Sequence, residues 1–430
     1  MYTQNDISLE SAKKLDEADE LKSFRDKFCF PEAPNGKPCL YFAGHSLGLR
    51  PKQTQEYIQE ELDSWARLGV EGHFAAKYPW LPYHENVTPS LGRLVGAKES
   101  EVVAMNTLTT NLHLMLVSFY RPKEIGNSKK IKIMIENNTF PSDQYAVDSQ
   151  VRFHGYHPEQ AVIELQPGEN GKTLSQESLE QQILDNKDEL ALVMLGNCNY
   201  LSGQYFDIER IVKVCHDNDI LVGFNLAHGA GNLKLKLNEW GPDFAVWCSY
   251  KYLNSGPGGI AAAFVHERHH KDPMMPRFEG WWGTNKKTRF LMERKFEAIE
   301  SVEAWQLSNP PIFQLASLRS SLDLFDQAGM DRIVQKRDKL TGYAEFLFKE
   351  KCNDLLEIIT PTAVEGKQTR GAMLCLKFNE NPKKVADQLK DEGVIVDFRE
   401  PDIIRLAPAP LYNSYEDVYR VVDLINNLSR

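Results

Sequence analysis

From residue 131 onward, apolar and polar positions alternate between short apolar runs and longer periodic stretches. The run 131–136, Ile-Lys-Ile-Met-Ile-Glu, reads as a strand, as do 161–165, 190–195 and 220–224. Between the last two lies 207–217, where Ile208, Ile211, Val212 and Cys215 fall on one face of a helix. Two more apolar runs, 243–247 and 260–265, flank a polar, glycine-rich turn. Strand, helix, strand at this spacing predicts an α/β fold with a mostly parallel sheet covered on both sides. Ligands of such sheets gather at the carboxyl ends of the strands. Asp143, Asn197, Asn225, His228 and Lys251 all fall at or just after predicted strand ends, which groups them into one candidate site.

The flanks carry other patterns. Residues 1–30 are charged, with Leu15, Leu21, Phe24 and Phe28 at helical spacing, and predict a surface helix. A tight turn at 41–51, with Gly44 and Gly48, leads through Pro51 into an amphipathic helix over 52–67. The stretch 69–82 is loop-like and aromatic and contains His73. Residues 105–113 enter an apolar-periodic helix that runs through Phe119, with Thr109 or Thr110 as N-cap and free N–H groups suited to a phosphate. Residues 280–290 read as an exposed aromatic loop, and 308–311 open a long helical stretch to about residue 350. The tail then changes character: strand 372–378, helix 383–392, strands 394–398 and 403–407, helix 416–428. It predicts a separate small α+β unit. The division expected is an N-terminal segment 1–60 packing with the small unit, a large domain 61–310, and a connecting helix with the small domain 311–430.

Composition narrows the function classes. A 430-residue chain, 42% hydrophobic and 26% charged, has room for a large domain and a smaller one. Its net charge of −10 argues against nucleic acid or an anionic membrane as a partner. No apolar run is long enough to span a bilayer, and the N-terminus lacks a secretory pattern. Seven scattered cysteines suggest reduced thiols in the cytoplasm, with neither disulfides nor a metal site.

The turn 247–259, Trp-Cys-Ser-Tyr-Lys-Tyr-Leu-Asn-Ser-Gly-Pro-Gly-Gly, carries the candidate chemistry. A lysine this close to a core is paired or reactive unless it reaches solvent. Gly256, Gly258 and Gly259 let backbone approach a ligand, and Ser249, Tyr250 and Ser255 offer hydroxyls for a phosphate. A Schiff-base lysine of a pyridoxal phosphate enzyme needs this setting.

Taken together, several motifs resemble one known family. They are Gly-His-Ser-Leu-Gly-Leu at 44–49, Thr-Asn-Leu-His at 110–113, Phe-Pro-Ser-Asp at 140–143, Leu-Ala-His-Gly-Ala-Gly-Asn at 226–232, Trp-Cys-Ser-Tyr-Lys-Tyr-Leu-Asn at 247–254, Gly-Trp-Trp-Gly at 280–283, Ser-Asn-Pro-Pro at 308–311 and Arg-Leu-Ala-Pro at 405–408. Their order and spacing resemble kynureninase over nearly the whole chain. The resemblance implies fold type I, a pyridoxal phosphate cofactor and a homodimer with sites shared at the subunit interface. The reaction it implies is hydrolysis of the Cβ–Cγ bond of kynurenine or 3-hydroxykynurenine, giving anthranilate or its hydroxy form and alanine. By the same resemblance Lys251 is the Schiff-base lysine that shuttles the α-proton, and Tyr250 holds the cofactor phosphate. Leu108 and Thr109 form the phosphate-binding turn, and Phe140 stacks on the pyridine. Asp143 and His228 lie near the cofactor ring and its O3′. Trp281 and Asn309 reach in from the neighbouring subunit. Ser46, His73 and Asn309 stand on the substrate side, and Arg405 grips the α-carboxylate as a fork.

The chain departs from that pattern inside its motifs. Where the family has the aspartate that binds the pyridine nitrogen, this chain has Asn225, which cannot hold a proton there by charge. The expectation is a weakened electron sink, at roughly two orders of magnitude in rate per ~2.7 kcal/mol, with Asp143 as a partly compensating carboxylate. His45, Thr110, Asn197, Cys198, Leu201 and Thr284 are further departures. They raise the alternative of a divergent lyase acting on a related amino acid, and a third reading as a weak cofactor binder.

Overall fold

A computed structural model describes residues 2–125, 128–168, 171–364 and 366–428. The apolar runs assemble into a seven-stranded sheet in the order Val102–Ala104, Ala262–Val265, Phe244–Trp247, Leu221–Asn225, Leu190–Gly196, Lys132–Glu136, Val162–Leu165. The strands from Phe244–Trp247 to Val162–Leu165 are parallel. Ala262–Val265 runs antiparallel to both its neighbours. The strands read as unbroken apolar runs because both faces are covered. In Phe244–Trp247, Phe244 and Val246 enter one core while Ala245 and Trp247 enter the other. Helices Leu108–Phe119 and Pro141–Phe153 cover one face, and Ile312–Ala328 and Ile208–His216 cover the other.

The C-terminal unit has its own antiparallel sheet, ordered Leu356–Ile358, Leu374–Phe378, Ile403–Leu406, Asp397–Arg399. Its core takes Leu340, Leu347 and Phe348 from helix Met330–Lys351 and Val418, Val421 and Ile425 from Tyr415–Leu428. Ala12 of helix Leu9–Glu17 joins that core, and Leu40–Tyr41 pairs in parallel with Val394–Ile395.

Several sequence expectations change. The long helix expected after residue 308 is two helices, Ile312–Ala328 and Met330–Lys351, broken where Gly329 takes φ +76°. The surface helix expected over 1–30 is Leu9–Glu17 followed by a 3₁₀ turn at Lys22–Lys27. The strand expected over 394–398 is split between two sheets, Val394–Ile395 with the N-terminal segment and Asp397–Arg399 with Ile403–Leu406. Periodicity identifies a strand but not the neighbour it pairs with. The cysteines are all free, with Cys29 half-buried and the others buried. No helix among the described residues is long and apolar enough to cross a membrane.

At the end of the sheet opposite the strand tips, Asp243 pins three elements. Its carboxylate accepts the Val222 N–H at 2.7 Å, meets His216 Nε2 at 3.1 Å and His269 Nε2 at 2.8 Å, and lies 3.3 Å from Arg268. Burial opposes its charge, but the bonds from His216 and His269 and the charge of Arg268 outweigh it and hold the carboxyl well below the usual range. Its stabilisation is therefore complete above the ordinary aspartate value of 3.8 and is lost as pH falls below it. Asp243→Ala leaves the buried Val222 N–H without an acceptor and His216, His269 and Arg268 without their carboxylate, so a loss of about 1–3 kcal/mol is expected. Denaturant unfolding at neutral pH checks it, and a change under 1 kcal/mol would contradict the account.

Candidate functional site

Glu136, Gly196 and Asn225 end three neighbouring parallel strands, and the turn carrying Lys251 follows a fourth, Phe244–Trp247. Together with the start of helix Leu108–Phe119 they wall a pocket of about 580 Å³, its solvent mouth included.

The Lys251 turn is built to be rigid. Ser249 Oγ bonds both Ser255 Oγ and the Ile260 carbonyl, and Ser255 N–H donates back to the Ser249 carbonyl at 3.1 Å. These two serines, expected to offer hydroxyls to a phosphate, are buried and close the turn instead. The loop 43–48 docks on it, with the Gly48 N–H donating to the Tyr250 carbonyl at 2.8 Å. A Cβ at Gly48 would stand 2.3 Å from the Lys251 carbonyl oxygen, so only glycine allows this approach.

Lys251 Nζ reaches His228 Nε2 at 3.2 Å and lies 5.9 Å from the centre of the Phe140 ring. Burial, with the charges of Arg405 and Arg399, pushes the amine below its usual range against the opposing pull of Cys248 and Asp143. His228 is pushed well below its usual value by burial and then by the charges of Lys251 and Arg405. It is therefore a neutral imidazole at pH 7, and its Nδ1 is buried without a partner.

Asp143 sits in the first turn of helix Pro141–Phe153, not at a strand end, and turns back into the pocket. Asn225 Nδ2 donates to Asp143 Oδ2 at 2.6 Å, while Asn225 Oδ1 accepts the Ala227 N–H at 2.9 Å. Those two bonds set which end of the amide points where. Asp143 Oδ1 remains buried without a partner. Burial raises the Asp143 carboxyl to about 6, opposed by the Asn225 bond and the charge of Lys251. Behind it, burial raises Glu136 to about 7 while Asn199 Nδ2 and the Gly196 N–H bond its two oxygens.

At the other end, the N-cap position of helix Leu108–Phe119 is held by Thr107, not by Thr109 or Thr110 as its sequence suggests, and its side chain makes no capping bond. Thr109 is one residue inside the helix, its Oγ1 sharing a 2.8 Å hydrogen bond with Ser142 Oγ. Burial and the neighbouring Cys248 raise the Tyr250 phenol above its usual range, so at neutral pH it carries its proton.

The structure thus brings Leu108, Thr109, Phe140, Asp143, Asn225, His228, Tyr250 and Lys251 into one pocket. Arg405 is buried beside it, 6.0 Å from the ring of Tyr200, a pocket residue. Besides Arg405, five expected residues do not line it, among them Asn197, which is buried with its N–H toward the Asn225 carbonyl. Ser46 and Asn309 are exposed. His73 Nδ1 lies 2.9 Å from the Val70 carbonyl, with the ring edge-on to Trp80. Trp281 is 44% exposed and donates Nε1–H to the Arg289 carbonyl at 3.2 Å. Sequence reasoning missed Glu136 and Tyr200. An acidic residue closing the apolar run 131–136 was a usable signal for the first, whereas nothing local marked the second. Among the described residues one group has metal-ligand spacing, His84, Glu85 and Glu303. Lys286 Nζ already lies 2.8 Å from Glu85 and 2.9 Å from Glu303, so an ammonium neutralises that cluster.

The expected cofactor fits these donors. A neutral-prone amine, an open carboxylate oxygen, an unpartnered imidazole nitrogen, a flat aromatic wall and a helix N-terminus beside a phenol all border one pocket. Asp143 Oδ1 and His228 Nδ1 are buried polar atoms that a bound polar ring would satisfy.

Comparisons with known proteins give the same direction. A family model described as the kynureninase C-terminal domain matches residues 333–425. A protein named kynureninase from Myxococcus xanthus is 56% identical over 419 residues, 97% of each chain. One of that name from Christiangramia forsetii is 48% identical over 413 residues, 95% of each chain. One from Nematostella vectensis is 41% identical over 442 aligned residues, 98% of this chain and 94% of its own. Among solved structures, a C-DES mutant with glycine covalently linked to its PLP cofactor superposes with TM-score 0.77 at 16% identity, covering 94% of this chain and 99% of that one. An apo cysteine desulfurase from Thermococcus onnurineus NA1 superposes with TM-score 0.74 at 16% identity, covering 95% and 98%. The structural likeness shows the fold.

Proposed function

The chain belongs to the kynureninase family, and on that premise we propose that it is a pyridoxal-phosphate-dependent hydrolase of kynurenine or 3-hydroxykynurenine. It cleaves the Cβ–Cγ bond to release anthranilate or 3-hydroxyanthranilate and alanine. The observation that carries the reading is Lys251, a half-buried amine bordering the pocket at the strand tips, with its usual proton affinity lowered and Arg405 beside the same pocket. When bound, pyridoxal phosphate supplies an aldehyde that captures amines and a ring that draws electrons away from Cα.

Each residue has a task there. Lys251 Nζ holds the cofactor and then carries the α-proton, which an amine with lowered proton affinity can both accept and return. His228, neutral and next to Nζ, offers a hydrogen bond without adding a repelling charge. Asp143 Oδ1 is the open carboxylate oxygen for the ring nitrogen. Phe140 covers the ring. Tyr250, as an un-ionised phenol, and the N–H groups at Leu108 and Thr109 hold the phosphate. Arg405 takes the α-carboxylate.

We place Ser46, His73, Trp281 and Asn309 at a site completed by a second copy in a homodimer. In support, Trp281 and Asn309 are exposed on this chain and do not line its own pocket. The division into 1–60, 61–310 and 311–430, and a cytoplasmic location, belong to the same reading, as do the absence of a nucleic-acid or membrane partner. The divergent-lyase alternative is not favoured, because identities of 41% to 56% extend over nearly the whole chain. Incubating the holoenzyme with kynurenine is expected to release anthranilate and alanine in equal amounts. Alanine or pyruvate without anthranilate would overturn the assignment.

A further inference from the structure

Arg405 does not stand alone. It lies directly across from Asp397 in the small sheet, and Arg399 follows on the same strand face as Asp397. Arg405 donates Nε–H to Asp397 Oδ1 at 3.1 Å and approaches Oδ2 through Nη2 at 2.9 Å. Its Nη1 donates to the Tyr200 carbonyl at 2.8 Å. Arg399 grips the same carboxylate from the other side, with Nε to Oδ1 at 2.8 Å and Nη2 to Oδ2 at 3.1 Å. The Arg405 side chain is 2% exposed, that of Asp397 13% and that of Arg399 37%.

A guanidinium has five N–H donors. Nε and Nη1 each spend one on the protein and Nη2 is ion-paired with Asp397, which leaves at least one N–H on Nη1 and one on Nη2. Those two are the pair that a carboxylate takes side by side. Two arginines on one aspartate leave one positive charge over, which the α-carboxylate of an amino acid cancels. Without Arg399, Asp397 alone would cancel Arg405, and a second carboxylate would meet no net charge. The Tyr200 carbonyl is itself held in place, because Asn199 Oδ1 accepts the Leu201 and Ser202 N–H groups at 2.9 Å while its Nδ2 bonds Glu136 at 2.8 Å.

We propose that Asp397 and Arg399 are positioning residues for substrate binding: Asp397 aims the free edge of Arg405, and Arg399 keeps that edge net positive. This rests on the reading that Arg405 takes the α-carboxylate. It predicts that the pair acts on carboxylate recognition and not on bond cleavage.

The test uses the holoenzyme and two ligands, kynurenine and its decarboxylated amine as a competitive inhibitor. Asp397→Asn is expected to raise KM for kynurenine about tenfold or more, with kcat within about threefold. Inhibition by the decarboxylated amine is expected to stay unchanged, a selectivity that general loosening of the fold would not produce. Asp397→Glu is expected to recover part of the loss. Arg399→Gln, at a half-buried position, is expected to raise KM about threefold to tenfold with the same indifference to the amine. It decides the matter alone should the Asp397 variant not fold. An unchanged KM in Arg399→Gln, or equal weakening of both ligands, overturns the proposal. The underlying reading fails separately, if Arg405→Lys in the unaltered background leaves KM for kynurenine where it was.

Discussion

Replacing Lys251 with alanine is expected to cut kcat on the order of 10³-fold or more while leaving the fold intact. The size follows from what the amine does: no other described ammonium lines the pocket, so neither capture of the cofactor nor movement of the α-proton has a substitute. Stability points the other way. Lys251 Nζ has one direct polar contact, His228 Nε2 at 3.2 Å, and burial penalises its charge. Removing a poorly paired, half-buried cation costs little and can stabilise. The variant is therefore expected to melt no lower than the parent in the absence of cofactor. Borohydride treatment of the parent is expected to fix the cofactor to Lys251, and in the variant to no residue. Methylamine, small enough for the space left behind, is expected to restore part of the proton transfer. Turnover by the variant at the parental rate would remove the foundation of the functional reading.

The sheet and the lysine were legible because both are local signals. Fully apolar runs such as 244–247 follow from burial on two faces, and a lysine between two of them is conspicuous wherever the turn points. The residues that act through distant partners were not legible. Asp397 and Arg399 lie 8 and 6 positions before Arg405, but they matter through a cross-strand register that residue spacing does not encode. Tyr200 enters through its carbonyl oxygen, which any residue possesses. Ser249 and Ser255 misled for the opposite reason: hydroxyls in a glycine-rich turn suit a phosphate by type, yet here they satisfy each other and a buried carbonyl. Thr109 was given the role of its neighbour, because consecutive threonines at 109 and 110 obscure Thr107 at the N-cap position. The resemblance supplied what local reasoning lacked, namely which of many polar residues share a site.

Asn225 is where sequence and geometry disagree most, and the disagreement has a measurable form. Read alone, an asparagine in place of the aspartate predicts a large deficit that Asn225→Asp repairs. The structure predicts otherwise: Asp143→Asn is expected to lower kcat on the order of 10²-fold, and Asn225→Asp to change it less than tenfold. The Asn225 carbonyl oxygen already accepts the Ala227 N–H, and its amide nitrogen donates to Asp143 Oδ2, so it offers at most the second lone pair of an oxygen already in use. Asp143 Oδ1 is the open acceptor. An aspartate at 225 would place a second carboxylate oxygen at the 2.6 Å contact, where the two can coexist only by sharing a proton. The pair would then carry one negative charge, as the Asn225–Asp143 pair already does. In Asp143→Asn both amides are neutral and that charge is gone. The pH profile separates the cases. With Asp143 raised to about 6, activity is expected to fall as pH drops through that region, because protonation removes the charge. That limb is expected to vanish in Asp143→Asn and to move to lower pH in Asn225→Asp, where sharing one proton stabilises the singly charged pair against taking up a second. Full activity in Asp143→Asn, together with a gain of tenfold or more in Asn225→Asp, would show that position 225 and not 143 governs the ring nitrogen.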